Sequence, residues 1–496
     1  MGLAAFSSGK GRRSASTVFF SIDWPTIALY LVLVTWGWFS VCGASYDFNN
    51  PNIFSFSTNS GKQLVWIGSS ILLASLLLLI EKRFYETSAY LIYGGMLLLL
   101  IATIFIAPDT KGSRSWIPIG SVMKLQPAEF AKFAVALCIA KFMDRFNFDM
   151  RKPKDFIMVI GMIVFPMLLI VLQKETGSAL VYLAFFLVLY REGMTGSLLF
   201  TAFACILYFV VGVRYNDAYI PLMPVSIGEF SVLLIAQLFV TGMTWTYTHN
   251  VHLSRIMLAG GLALSLLAYL FSTFVIPFDV CYVLLGICML QMSSLFVFSA
   301  YQRNIRYALI GLFALLSSSL FYVGDTILSH LQPHQRVRIE VLLGKKEDLR
   351  GVGYNVNQAM IAIGSGGIAG KGFLNGTQTK LRYVPEQDTD FIFCTVGEEE
   401  GFIGSAGVLL VYLLFIWRLI SLAERQPDRL GRVYGYCVLC IFIFHLFINV
   451  GMVLGLTPVI GIPLPFFSYG GSSLWGFTIL LFIFLRLDAE RNIKRD

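Results

Sequence analysis

The chain has 496 residues, 57% hydrophobic and 13% charged, with a mean hydropathy of +0.73 and a formal net charge of +8. A soluble chain carries about a quarter charged residues, and repeated apolar runs able to cross a hydrocarbon core about 30 Å thick exclude that class, while the lack of short alternating segments excludes a transmembrane barrel. The positive charge gathers in alternate loops, which points to membrane topology and not to nucleic acid.

Residues 1–24 form a tail with Lys10, Arg12 and Arg13 ahead of the first apolar run, and no small-residue cleavage site follows, so an uncleaved first helix is expected. Apolar runs predict spans at 25–45, 64–81, 89–107, 128–143, 155–173, 177–191, 196–213, 228–247, 254–275, 278–300, 305–328, 403–422, 433–456 and 472–487. The span at 128–143 is the least apolar, because Glu129, Lys132 and Lys141 interrupt or flank it. The eight cysteines fall mostly inside apolar runs, and Cys437 and Cys440 form a C-x-x-C without His or acidic neighbours, which reads as buried packing. The expected fold is an all-α polytopic membrane protein.

Basic residues set the orientation. Lys82 and Arg83, Arg145 to Lys154, Arg191, Arg303 and Arg306, Arg418 to Arg432, and the tail from Arg486 to Arg495 all fall on one side. The loops at 46–63, 214–227 and 457–471 are nearly free of them. Both termini are therefore expected in the cytoplasm and the long polar segment 331–402 outside. Two outside segments break the rule: 108–127, with Lys111, Arg114 and Lys124, and 331–402, with Arg336, Arg338, Lys371 and others. Long loops follow the rule poorly, but basic residues on the wrong side also suit an anionic ligand such as a phosphate.

Four segments can carry chemistry. In KGSRSWIPIGSVMKLQPAEFAK (111–132), Trp116 suits an interface, Pro127 suits a first helical turn, and Glu129 and Lys132 share a helix face three residues apart. The pair is a functional candidate or a structural ion pair. Glu175 stands at an outside turn, QKETGS (173–178), and matters only if it faces other polar segments. In 331–402, Asp348 stands before Gly351 and Gly353 and can serve as a general base. The run from Gly364 to Gly372 would present backbone N–H groups to an anion or act as a hinge. Pro385 to Asp390 read as the acidic start of a helix. The segment 455–475, rich in Pro, Gly and aromatics at a membrane boundary, must be buried in protein or line a polar cavity.

Taken together, RSWIPIG (114–120), KLQPAEFAK (124–132), GVGYNVNQAMIAIGSGGIAGKGFLNGTQ (351–378), PEQDTDFIF (385–393), EEEGFIG (398–404) and GLTPVIGIPLPFFSYGGSS (455–473) resemble the SEDS family (shape, elongation, division and sporulation) in order and spacing. The GTQ at 376–378 is more similar to the family's RodA branch than to its FtsW branch. The resemblance implies a ten-helix core, with about four further helices inserted at 194–304. Core helices one to six would lie in 25–193, the seventh in 305–330, the catalytic loop in 331–402, the last three in 403–487, and a cytoplasmic tail in 488–496. A partner-docking surface and a lipid-facing addition both stay open for the insertion.

The resemblance further implies a peptidoglycan glycosyltransferase of the bacterial cytoplasmic membrane. Such an enzyme polymerises lipid II onto a lipid-linked glycan during elongation, beside a class B penicillin-binding protein and other elongation proteins. It places the essential aspartate on Asp348, with Trp116, Glu129, Lys132 and Glu175 in support. Lys111, Arg114, Lys124, Gln126, Arg336, Arg338, Gln358, Ser365 and Lys371 would bind pyrophosphate or substrate, with a divalent cation (Mg2+ or Mn2+) as a candidate cofactor. The chain departs from the family pattern at Lys174-Glu175-Thr176-Gly177-Ser178, where Pro-Asp-Leu-Gly-Thr is usual, and at Lys345, where Pro is frequent. A lipid II flippase and a non-catalytic scaffold are the rival readings; polar groups gathered at one face argue against a two-sided transport path.

Overall fold

In this computed structural model the described residues are 21–46, 52–110, 112–120, 123–220, 225–330, 336–337, 340–341, 343 and 352–491. Each expected span but the one at 177–191 is a single helix. The first unit opens with α1 (Trp24–Ala44), α2 (Asn59–Leu79) and α3 (Lys82–Ile106). A short hairpin follows, β1 (Ile117–Ile119) with β2 (Met123–Leu125), then α4 (Pro127–Met143) and α5 (Pro153–Leu172). The segment expected as one helix at 177–191 is instead broken. It comprises α6 (Thr176–Val181), a 3-10 turn (Tyr182–Ala184) and α7 (Phe185–Arg191).

Next come α8 (Gly196–Tyr215), α9 (Ile227–Thr248), α10 (Val251–Phe274), α11 (Val280–Gln302) and α12 (Ile305–His330). The polar segment is itself folded, into α13 (Val352–Gly366), α14 (Thr377–Lys380) and α15 (Ile392–Glu399). The chain closes with α16 (Gly401–Glu424), α17 (Arg429–Val453) and α18 (Gly471–Ala489). Among the described residues, eleven helices are long and apolar enough to cross a membrane. The helix α4 is not one of them, at 17 residues with Glu129, Lys132 and Lys141 along it.

The chain divides into two compact units, residues 1–194 with 354–496, and residues 195–353. In the first, α4 packs against α3, α17 and α18 and is buried almost throughout. Its buried Ala128, Ala131, Ala134, Ala136 and Ala140, spread around the helix, let neighbouring backbones approach on several sides, which is how helices associate where lipid removes the hydrophobic drive between them. In the second, α12 packs on α8, α9 and α11, around Tyr208, Val240, Leu295, Tyr307 and Phe313. The helix read from sequence as the seventh of the core thus packs within the same unit as residues 195–304.

One end of the first unit is tied by charge. Arg418 donates from Nε to Asp23 at 3.0 Å, and Arg425 from Nε to Asp488 at 2.9 Å. Lys82 meets Asp428 at 2.9 Å, and Glu192 meets Arg429 at 3.1 Å and Arg432 at 3.2 Å. Asp23 also caps α1 by accepting from the Thr26 N–H at 3.2 Å. Burial would raise the Asp23 carboxyl, but the Arg418 guanidinium and Thr26 outweigh it and hold the group at about 2. The basic residues used to orient the chain are therefore part of a structural network at this end.

Candidate functional site

At the opposite ends of the same helices, segments far apart in sequence meet. The hairpin pairs Ile117 with Leu125, Pro118 with Lys124 and Ile119 with Met123, presenting Trp116 half-buried at its start and Lys124 exposed on its second strand. The Arg114 N–H donates to the Gln173 carbonyl at 2.9 Å, and the buried Ser115 hydroxyl donates to Glu175 Oε2 at 2.8 Å. Glu175 thus faces the Trp116 segment, which is the placement that gives it value. The Arg114 guanidinium is exposed and 4.0 Å from Asp109. Where the hairpin enters α4, Gln126 is buried; its N–H donates to Ser472 Oγ at 3.3 Å and its side-chain amide to Ser178 Oγ at 3.4 Å. Ser472 in turn donates to the Lys124 carbonyl at 3.0 Å.

One turn into α4, the Lys132 ammonium donates to Glu129 Oε2 at 2.8 Å and to His445 Nε2 at 3.1 Å. The His445 Nδ1 lies 3.0 Å from the Pro463 carbonyl. A carbonyl only accepts, so Nδ1 carries the proton and Nε2 keeps a lone pair for the ammonium. Lys132 also lies 4.7 Å from the centroid of the Phe477 ring. Neither charge is solvated: Lys132 is 0% and Glu129 2% exposed. A charge pair so enclosed persists only because each partner neutralises the other and further contacts satisfy the ammonium.

The segment 455–473 is the irregular wall expected at this depth, and it is buried in protein. Leu464, Phe466, Phe467 and Ser468 are nearly inaccessible. The Tyr412 hydroxyl donates to the Pro465 carbonyl at 2.6 Å, and Asn449 donates to the carbonyls of Asp390 at 2.8 Å and Ile462 at 2.7 Å. These bonds take up backbone groups that no helix satisfies. Gly37 of α1 permits the closest approach, since a Cβ there would stand 2.6 Å from Phe467 Cα.

The acidic run Glu398-Glu399-Glu400 does three different things. Glu398 accepts from the N–H groups of Thr377 (2.8 Å), Gln378 (2.9 Å) and Thr379 (2.9 Å), capping α14, and from Lys371 Nζ at 2.7 Å. Burial acts to raise its carboxyl, but Lys371 and the N–H donors prevail and hold it at about 2. Glu399 is 3% exposed, packed where a Cβ on Gly43 would fall 2.4 Å away. Burial first, then the charges of Glu398 and Glu400, push it up to about 7. Glu400 receives the Trp36 indole N–H at 2.8 Å, and burial raises its carboxyl too.

Two readings change on this evidence. The Gly-rich run is neither an anion cradle nor a hinge: the N–H groups of Gly370, Lys371 and Gly372 donate to the carbonyls of Gly366, Glu398 and Glu399. The positive φ of Gly367, Gly370 and Gly372 makes that docked turn possible. Nor do Asp388 and Asp390 cap a helix, because α15 begins after Phe391 with no side-chain cap. Asp388 instead accepts from the Asn59 amide at 2.6 Å, and its carbonyl accepts from the Tyr469 N–H at 2.8 Å.

The structure therefore brings Arg114, Trp116, Lys124, Gln126, Glu129, Lys132 and Glu175 into one region of the first unit. Ser365 and Lys371 turn onto Glu398, at 3.5 Å and 2.7 Å, and Gln358 is half-buried along α13. Arg336 pairs with Glu340 at 2.7 Å within the second unit. Lys111, Arg338 and Asp348 lie outside the described residues. Sequence reasoning missed His445, Glu398 and Ser472. A lone His inside an apolar run offered no pattern, although the polar i, i+4 pair His445 and Asn449 marks one face of α17. Among the described residues no three His, Cys, Asp or Glu side chains gather to hold a metal. Glu129 and Glu175 are engaged by Lys132 and Ser115.

The sequence profile of the FtsW/RodA/SpoVE family, described as "Cell cycle protein", matches residues 23–221 and 232–493. The chain is 32% identical over 448 residues to "Peptidoglycan glycosyltransferase RodA" of Treponema pallidum, covering 87% of this chain and 89% of that protein. It is 28% identical over 397 residues to "Peptidoglycan glycosyltransferase MrdB" of Escherichia coli K12, covering 80% and 76%. Its fold is similar to a chain solved in "Structural coordination of polymerization and crosslinking by a peptidoglycan synthase complex", with a TM-score of 0.59, 22% identity, and 95% and 99% coverage. The crystal structure of Thermus thermophilus rod shape determining protein RodA matches with a TM-score of 0.53, 21% identity, and 95% and 98% coverage. The sequence match, the polytopic helical fold and the meeting of the motif segments agree: this chain belongs to the FtsW/RodA/SpoVE, or SEDS, family of cell cycle proteins.

Proposed function

We propose that this chain is a peptidoglycan glycosyltransferase of the bacterial cytoplasmic membrane, polymerising lipid II for elongation and cell shape. The observation that carries the reading is the 32% identity to a peptidoglycan glycosyltransferase along nearly the whole chain. The convergence of the 114–126, 173–178 and 469–472 segments at one end of the helices supports it, because that end holds the exposed Arg114 and Lys124. Both termini are cytoplasmic and the 331–402 segment is extracytoplasmic.

Asp348 accepts the proton of the acceptor sugar's 4-hydroxyl as that oxygen attacks C1 of the donor sugar. The bond from C1 to the pyrophosphate oxygen breaks, undecaprenyl pyrophosphate leaves with the electron pair, and the α-linked donor becomes a β-1,4 link by inversion. Arg114 and Lys124 neutralise the pyrophosphate as charge develops on it. A penicillin-binding protein crosslinks the strands beside this chain. The likeness to a chain from a polymerisation and crosslinking complex supports that partner.

The test is polymerisation of labelled lipid II by the purified chain with its cognate class B penicillin-binding protein, wild type beside Asp348→Asn. Glycan strands from the wild type and none from the folded variant are expected. Strands from Asp348→Asn at the wild-type rate would remove the aspartate from the chemistry. No strands from either would return the flippase and scaffold readings, to be separated by a flipping assay in liposomes.

A further inference from the structure

The 385–393 motif takes no part in the transfer proposed above, yet it builds a cavity. Arg382, Val384, Pro385, Glu386, Gln387 and Asp388 line it, with Ala44 and Ser45 at the end of α1 and Asn59 at the start of α2. Its volume is ≈ 210 Å³. Sites that enclose a whole drug-sized ligand run to roughly 300–1,000 Å³, so this one takes the end of a ligand.

Its floor is rigidly held. The Gln387 amide donates to the carbonyls of Ala44 and Thr379, both at 2.6 Å, and Asp388 is fixed by Asn59 and Tyr469. Its rim is strained: Arg382 and Glu386 hold left-handed backbone at φ +54° and +53°. Non-glycine residues in that region persist where the surroundings impose it, and such strain gathers at ligand sites. The charges are also kept apart. Among the described residues Arg382 has no side-chain hydrogen bond or ion pair, although it lines the same cavity as two carboxylates.

A cavity that offers a guanidinium and carboxylates at separate points is complementary to a group carrying both signs. We propose that this cavity binds the carboxyl-terminal part of a short peptide, with Arg382 receiving the terminal carboxylate and the Glu386 and Asp388 side receiving a side-chain ammonium group of the same peptide. In the reaction proposed above, which this inference builds on, that peptide is the stem of lipid II. A planar guanidinium pairs with a carboxylate through two parallel bonds. Sugar and polyprenyl chain, lacking both charges, have no counterpart here. The site then sets substrate preference and leaves the bond-making step alone.

Binding of a fluorescent, lipid-free muramyl pentapeptide to the full-length chain in detergent tests this directly. Arg382→Gln is expected to weaken binding about tenfold or more, as loss of a charged hydrogen bond does, with Arg382→Lys recovering part. Peptide amidated at its carboxyl end is expected to bind the wild type as weakly as free peptide binds Arg382→Gln. In polymerisation assays the same variant raises KM for lipid II, leaves kcat unchanged, and does not alter KM for a lipid-linked disaccharide without peptide.

Equal peptide affinity in wild type and folded Arg382→Gln overturns the proposal. So does an equal KM shift with and without peptide, or an effect confined to retention of the penicillin-binding protein, which would make the rim a protein contact. If the wild type makes no strands but binds peptide in an Arg382-dependent way, the glycosyltransferase reading fails and the site stands.

Discussion

Lys132 and Glu129 meet at 2.8 Å with their side chains closed off from solvent, and His445 from a helix more than 300 residues later holds the ammonium from the other side. One ionisable pair therefore joins the hairpin region to the buried 455–473 wall, through the His445 bond to Pro463.

Breaking this pair leaves a charge without compensation in a closed interior. Lys132→Met is expected to destabilise the chain by about 3–5 kcal/mol, and the double variant Glu129→Leu/Lys132→Met by much less. Thermal unfolding of single and double variants in detergent measures the coupling. A double-variant loss equal to the sum of the two single losses would show that the two groups act independently.

The Glu398 carboxylate holds α14 and the docked turn at 370–372 together. Glu398→Ala strands the N–H groups of Thr377, Gln378 and Thr379 and the ammonium of Lys371. A cost of about 2–4 kcal/mol is expected. Hydrogen exchange over 371–380 reads it locally: protection falls there while α17 and α18 keep theirs. Uniform loss across the first unit would contradict a local anchor.

Glu399 gives a pH dependence with a definite sign. Its folded value of about 7 lies above the ordinary 4.5, so between those values the folded chain holds a proton that the unfolded chain has released. Stability falls as pH rises from about 4.5 to about 7 and then levels, by at most about 3 kcal/mol. Glu398 acts oppositely, its contribution being complete above 4.5 and lost as pH falls toward 2. Glu399→Gln is expected to flatten the decline between pH 5 and pH 8 and to be the more stable chain at pH 8. Parallel wild-type and variant melting curves across that range would place the titration elsewhere.

Two glycines separate packing from propensity. A Cβ at Gly37 would meet the Phe467 backbone at 2.6 Å, whereas one at Gly68 of α2 meets nothing within 4 Å. Gly37→Ala is expected to cost about 1–3 kcal/mol, the range for overpacking, and to lower polymerisation by displacing the 455–473 wall. Gly68→Ala is expected to leave both melting temperature and strand synthesis unchanged. Equal behaviour of the two variants would mean that the α1 contact yields without strain.

By itself the sequence determined the membrane class, the positions of the long apolar helices, and the segments that carry polar groups. These properties are local. Hydrophobic run length is set by bilayer thickness, and helix starts follow Asp23 before Pro25, or Pro127 ahead of Glu129, from neighbouring residues alone. The tertiary structure decided which polar groups answer one another. Ser115 with Glu175, Gln126 with Ser472, Asn59 with Asp388 and Lys132 with His445 are separated by 60, 346, 329 and 313 residues, and no local periodicity encodes such pairs. It also decided the break at 182–184 and the fate of the Gly-rich run, whose N–H groups found carbonyls on Glu398 and Glu399 in place of an anion. Hydropathy places a segment in or out of the membrane. Only the packed chain, in which every buried donor and charge must find a partner, selects the partner.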